Sequence, residues 1–219
     1  MPAFARSIGI TVQIRPARCR AELREFTRWH HLAGVAHARR AGRNLVQISD
    51  AGILSTGLSR EYALSVHNTA SAATNVPTVL AARTMALVAV ADGRPIGGLS
   101  AGPSFLLCAQ LATFGRTAVL QAALTTMRIH AMAVLPGYTQ HGVGTALLHQ
   151  AITLARQAGV GIVYGQFDTS TTGLAQFFRH NGMNLADPSA VLDLRTHLDL
   201  PAVVAPAPNE TLFHHVVNQ

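Results

Sequence analysis

Two apolar runs, Met85 to Ala91 and Arg94 to Ser100, flank the dipeptide Asp92-Gly93 and predict a β-hairpin. From Arg128 to Val134 the chain alternates with period two, which sets Arg128, His130, Met132 and Val134 on one face and Ile129, Ala131 and Ala133 on the other. Pro136 closes that strand. The period then changes: Val143, Leu147, Ala151, Leu154 and Ala158 recur at helical spacing beside Leu148, Ile152 and Ala155, with Gly159 as a natural stop. Ile162 to Asp168 predicts a second buried strand, and Thr172 to Asn181 a short helix stopped at Gly182-Met183.

Earlier in the chain, Ile10 to Arg15 alternates like a strand and Ala21 to Arg40 is compatible with a helix. Asn44 to Ser49 is expected as a strand. Ser59 to Ala73 reads as a helix with Ser59 as its N-cap, closed by Asn75 and Pro77. The apolar stretch from Ser104 to Leu120 is assigned to sheet. There is no internal repeat, and the length of 219 residues suits one substantial core.

The junction from Val134 to Leu148 carries the chemistry. Gly142 and Gly144 let a ligand approach the backbone closely, and the amides from Gln140 to Thr145 precede a helix and lack intrahelical partners. Those donors and the helix dipole attract an anion, a phosphate above all. With its flanking strand and helix, Gly142-Val143-Gly144 resembles motif A of the GNAT superfamily of acyl-CoA-dependent N-acyltransferases, with Thr139 where an arginine or glutamine is usual. Ala175, Phe177, Phe178 and Gly182 resemble motif B, with Thr172 at the asparagine position, Phe178 at the tyrosine position and Met183 at the final phenylalanine.

Ala190 to Leu194 and Glu210 to Val217, on either side of a Pro-rich loop from Pro201 to Pro208, look like the last two strands of that fold. The resemblance covers roughly the C-terminal two-thirds of the chain. It implies an α/β (α+β) architecture, a GNAT-like mixed and mostly antiparallel central sheet flanked by helices. Residues 1–43 are then either an N-terminal extension or the first strand and helix of the domain, and residues 44–219 the acyltransferase domain.

The resemblance also implies acetyl-CoA as co-substrate, a primary amine on a small molecule or peptide as acceptor, and N-acetyl transfer as the reaction. Pyrophosphate would lie over Thr139, Gln140, His141, Gly142, Val143, Gly144 and Thr145, with Thr172 also at the cofactor, while the main chain of Met132 and Val134 would pair with the pantetheine arm and a strand amide would hold the oxyanion. Thr139 loses a charge-assisted bond to that pyrophosphate, for which His141 or Arg179 would compensate. His130 is the candidate base, because histidine titrates near working pH and shares the predicted face of Met132 and Val134. Arg128, where the family often places a base, cannot accept a proton. The family's general acid is a tyrosine hydroxyl that Phe178 lacks, leaving Tyr138, Tyr164 or water for the departing thiolate. These substitutions keep a second reading open, an acyl-CoA-binding module with weak or lost catalysis.

Composition narrows the remaining classes. Hydrophobic residues at 49% and charged residues at 12% argue against disorder, and no apolar run is long enough to span a bilayer. All 17 basic residues are arginine, and the net charge of +7 favours an anionic partner. They are dispersed, without interleaved aromatics, so nucleic-acid binding is a minor reading. Two isolated cysteines fit a reducing cytoplasm rather than a disulfide scaffold, although the arginines of the first twenty residues would also suit a transit peptide. The pairs His30-His31 and His214-His215 lack metal-ligand spacing, and no metal is expected. A homodimer is left open. No nucleophile elbow or P-loop lysine is present, which removes the hydrolase and NTPase classes.

Overall fold

The computed structural model describes residues 3–7, 10–36, 38–54 and 76–217. The chain opens with strands β1 (Ala3–Ser7) and β2 (Ile10–Pro16), then helices α1 (Arg20–Leu32), α2 (Ala41–Asp50) and α3 (Val76–Ala82). The hairpin β3 (Met85–Ala91) and β4 (Arg94–Gly102) leads through α4 (Phe105–Leu111) and α5 (Arg116–Thr125) to β5 (Thr126–Val134), α6 (Val143–Gln157), β6 (Ile162–Asp168) and α7 (Leu174–His180). The remainder is β7 (Asn184–Leu185), β8 (Leu192–Asp193), α8 (Arg195–Leu198), β9 (Val203–Val204) and β10 (Glu210–Val216).

Among the described residues, eight strands form one sheet in the order β1-β2-β3-β4-β5-β6-β10-β7, antiparallel except between β5 and β6. This is the mixed, mostly antiparallel sheet expected from the sequence. One face packs on α6 and α7 through Val143, Leu147, Leu148 and Phe178. The other is covered by α1 and α2 over β3, and by α3, α4 and α5 over β6 and β10. Residues 10–32 are integral to this sheet, since β2 pairs with β3 from Val12 to Pro16 and α1 buries Leu23, Phe26 and Trp29.

Four sequence expectations are corrected. Asn44 to Ser49 lies in helix α2: Gly42 and Leu45 are its buried residues, three apart, and Gly42 comes so close to α1 that a Cβ would sit 2.6 Å from the Arg24 carbonyl oxygen. The stretch Ser104 to Leu120 is helical because the Ser104 hydroxyl accepts the Leu107 amide at 3.3 Å and caps α4. Ala190 to Leu194 contributes only β8, which pairs with β9 outside the main sheet, while the short β7 takes the edge beside β10. Pro77 stands in the first turn of α3 instead of closing a helix, where its missing N–H costs nothing. The helix expected from Ser59 to Ala73 lies outside the described residues.

Trp29, fully buried, packs on β4 at Gly98, where a Cβ would meet the indole Cδ1 at 2.5 Å. Gly98→Ala should therefore overpack this seam and cost about 1–3 kcal/mol, lowering the melting temperature by several degrees. An unchanged melting temperature would show that α1 does not rest on β4.

Candidate active site

Strands β5 and β6 pair for only three residues, Thr126 with Ile162, Met127 with Val163 and Arg128 with Tyr164. Both continue, to Val134 and to Asp168, without pairing further. The two strands thus leave a notch whose β5 edge offers free backbone groups from Ile129 onward. On its other side β5 carries a bulge: Ser100 pairs with Ala131 and Ala101 with Ile129, so His130 is skipped.

The bulge overturns the face expected for His130. Met127 and Ile129 pack with α6, but beyond the bulge it is Met132 and Val134 that join the same cluster, while Ala133 and Leu135 turn to the α1 side. Strict alternation would have kept His130 with Met132 and Val134. Instead His130 lies with Arg128 on the face where His30 of α1 sits, its Nε2 2.8 Å from the Ser100 hydroxyl.

Its protonation differs from expectation as well. Burial, then the charges of Arg128 and His30, push the His130 pKa down to about 3. The ring is neutral at pH 7 and a weak proton acceptor, about seven pKa units, or ~10 kcal/mol, short of taking a proton from an ordinary alkylammonium. The unfolded chain protonates this ring near 6.5 and the folded chain only near 3, so acidification between those values favours unfolding by up to about 1.4 kcal/mol per pH unit. His130→Ala should flatten the loss of stability between pH 6 and pH 4 in chemical denaturation. A variant as acid-sensitive as the parent would place the responsible group elsewhere.

The anion cradle expected from the sequence falls between β5 and α6. Pro136–Tyr138 form a single 3₁₀ turn, and the Thr139 hydroxyl donates to the Pro136 carbonyl at 2.8 Å. The His141 ring Nδ1 lies 2.6 Å from the Thr139 carbonyl oxygen. Gln140 and Gly142 both adopt positive φ, 62° and 74°, which turns successive amides outward. The amides of Gln140, His141, Gly142, Val143, Gly144 and Thr145 make no hydrogen bond within the described residues, and the first bond of the helix is Ala146 N–H to Gly142 C=O at 2.9 Å. Gly142 has open space around it, so left-handed backbone is what it supplies, whereas Gly144 gives room to the Phe177 ring, 3.4 Å from where a Cβ would be. Thr172 is exposed in the turn before α7.

Phe178 is 5% exposed within a stack of four rings. Its centroid lies 3.8 Å from Phe213, 5.3 Å from Phe167 and 5.2 Å edge-on from Phe177. Tyr164 is buried at the base of the notch with its phenol pushed up to about 12 by burial, which makes it a poor proton donor. Tyr138 is half-buried against the α6 core, in the turn that leads to the cradle. Arg179 is exposed on α7. The residues sequence reading missed are His30, Ser100, Gln166, Phe167 and Phe213. Of these only His30 carried a signal, in its pair with His31, and that pair drew attention for metal. Among the described residues no group of three or more ligating side chains gathers, and no helix is long and apolar enough to cross a membrane.

A model of the acetyltransferase (GNAT) family matches residues 58–183. No curated protein matches in sequence. The fold is similar to yncA of Salmonella typhimurium, solved with its cofactor acetyl-CoA, at 15% identity and a TM-score of 0.55 over 95% of each chain. The GNAT domain of S. lividans PAT gives 11% identity and a TM-score of 0.57 over 98% of this chain and 96% of that one. Ribosomal-protein-alanine N-acetyltransferase from Brucella melitensis gives 13% and 0.53, over 93% and 98%.

Proposed function

We propose that this chain, which belongs to the GNAT acetyltransferase family, is an N-acetyltransferase that moves an acetyl group from acetyl-CoA to a primary amine. The observation that carries the reading is the row of unpartnered amides from Gln140 to Thr145 at the N-terminus of α6, directly beyond the notch where β5 and β6 part. The cradle takes the pyrophosphate, and the free β5 edge at Met132 and Val134 takes the pantetheine amides. Acetyl-CoA supplies an activated acyl group. The protein fixes its carbonyl against β5 amides, which stabilise the charge that grows on oxygen.

His130 accepts a hydrogen bond from the incoming amine as a neutral ring and does not serve as its bulk proton acceptor, so the amine enters already deprotonated. The departing thiolate takes its proton from water. Phe178, without a hydroxyl, closes the apolar side. Mixing the protein with acetyl-CoA and a library of amines should release free thiol in proportion to acetylated amine. Binding of acetyl-CoA with no thiol release across the library would favour the second reading, a binding module, which the missing hydroxyl at Phe178 and the low basicity of His130 support. The reading places the protein in the cytoplasm, where acetyl-CoA is available.

A further inference from the structure

With acetyl-CoA held as proposed above, the acceptor is left the opposite side of the notch. The cradle and α6 occupy one face of the sheet, so the amine arrives from the other, where Arg128, His130, Gln166 and His30 stand partly exposed. Arg128 is the charged group there. One guanidinium nitrogen, Nη2, donates to Gln166 Oε1 at 3.2 Å, and Gln166 is itself held by its Nε2 bond to the Ala205 carbonyl at 2.8 Å. Among the described residues the salt bridges join Arg15 to Glu22, Arg20 to Asp50 and Arg28 to Glu25, and none reaches Arg128.

Among the described residues the other titratable groups at this end of the notch are His30 from α1, His130 from β5 and Tyr164 from β6, with Cys108 of α4 beside Tyr164, and not one is a carboxylate. Such a lining repels a polycation. It leaves a half-buried guanidinium with donors to spare, held in place by an amide that cannot neutralise it.

We propose that Arg128 receives a carboxylate carried by the acceptor, so that the acceptors of this protein are amino acids or other carboxylated amines, and not polyamines or lysine side chains. The inference rests on the acetyltransferase reading. A carboxylate on Arg128 would set the adjacent amine a few bonds along the strand edge, beside His130 and the acyl carbon. A charge-assisted bond of this kind is worth roughly 10- to 100-fold in affinity.

The test uses full-length protein, acetyl-CoA and matched pairs of free amino acid and decarboxylated amine: phenylalanine with phenethylamine, histidine with histamine, ornithine with putrescine and β-alanine with ethylamine. The carboxylated member of each reactive pair should have the higher kcat/KM, by roughly 10- to 100-fold. Arg128→Met should collapse that ratio toward one, chiefly through KM, and Arg128→Lys should restore part of it. Decarboxylated amines that react as well as their partners, a ratio unchanged in Arg128→Met, or no turnover of any carboxylated member by protein that binds acetyl-CoA would each overturn the proposal. Failure of the parent protein to bind acetyl-CoA in calorimetry would instead overturn the acetyltransferase reading beneath it.

Discussion

Replacing Gly142 by valine is expected to remove calorimetrically measurable acetyl-CoA binding, a loss of at least ~100-fold, while leaving the protein folded. Gly142 sits at φ 74° with open space where a Cβ would be. The penalty is therefore conformational and not steric against a neighbour: a β-branched residue avoids this region, and the loop must move to relieve it. Movement takes the amides of Gln140 to Thr145 out of register with one another. The fold survives because α6 is anchored by Val143, 1% exposed, and by Leu147 and Leu148, fully buried. Gly142→Asn, which tolerates left-handed backbone, should retain most of the affinity. Unchanged binding by the valine variant would show that the pyrophosphate lies elsewhere.

Phe178→Tyr is expected to raise kcat, within the 10²- to 10⁴-fold reach of a placed general acid. The rings of Phe167, Phe177 and Phe213 fix the orientation of residue 178, so a hydroxyl added at the para position has one place to go and loses no rotamer freedom in getting there. Single-turnover kinetics at saturating acetyl-CoA separate this step from binding, and a melting curve reports whether the added hydroxyl is buried without a partner, at a cost of about 1–3 kcal/mol. A stable variant with an unchanged rate would mean that proton delivery to the thiolate does not limit turnover.

Much of the fold is legible in the sequence because local periodicity and long-range packing agree there. The strand from Ile162 to Asp168, the Asp92-Gly93 hairpin and the helix from Val143 each bury the face that their pattern announces. The misread segments are those where a tertiary contact decides. Asn44 to Ser49 has an apolar content that suits a strand, whereas the structure seats it as a helix whose Gly42 and Leu45 pack on α1. Ala190 to Leu194 looks like a full strand, yet β10 is already paired by β6 and β7.

The site divides in the same way. The cradle is readable because glycines and a strand-to-helix junction are local features, and its free amides follow from helix geometry. His130 is not, because a β-bulge needs knowledge of the partner strand: Ser100 and Ala101 set the register that turns His130 away from Met132 and Val134. Its depressed pKa likewise comes from burial beside Arg128 and His30, groups brought together by β5 and α1 across the sheet. Of the phenylalanines that surround Phe178, Phe177 is its neighbour in sequence, but Phe167 and Phe213 come from β6 and β10 and nothing in their spacing links them to it.

In the proposed function the cradle and the notch form one acetyl-CoA site. A crystal structure with CoA bound tests it most directly. Pyrophosphate oxygens are expected within hydrogen-bond reach of the amides from Gln140 to Thr145, and the thiol between β5 and β6 near Met132. CoA bound on another surface, or a pantetheine arm that does not enter the gap beyond Arg128, would contradict it.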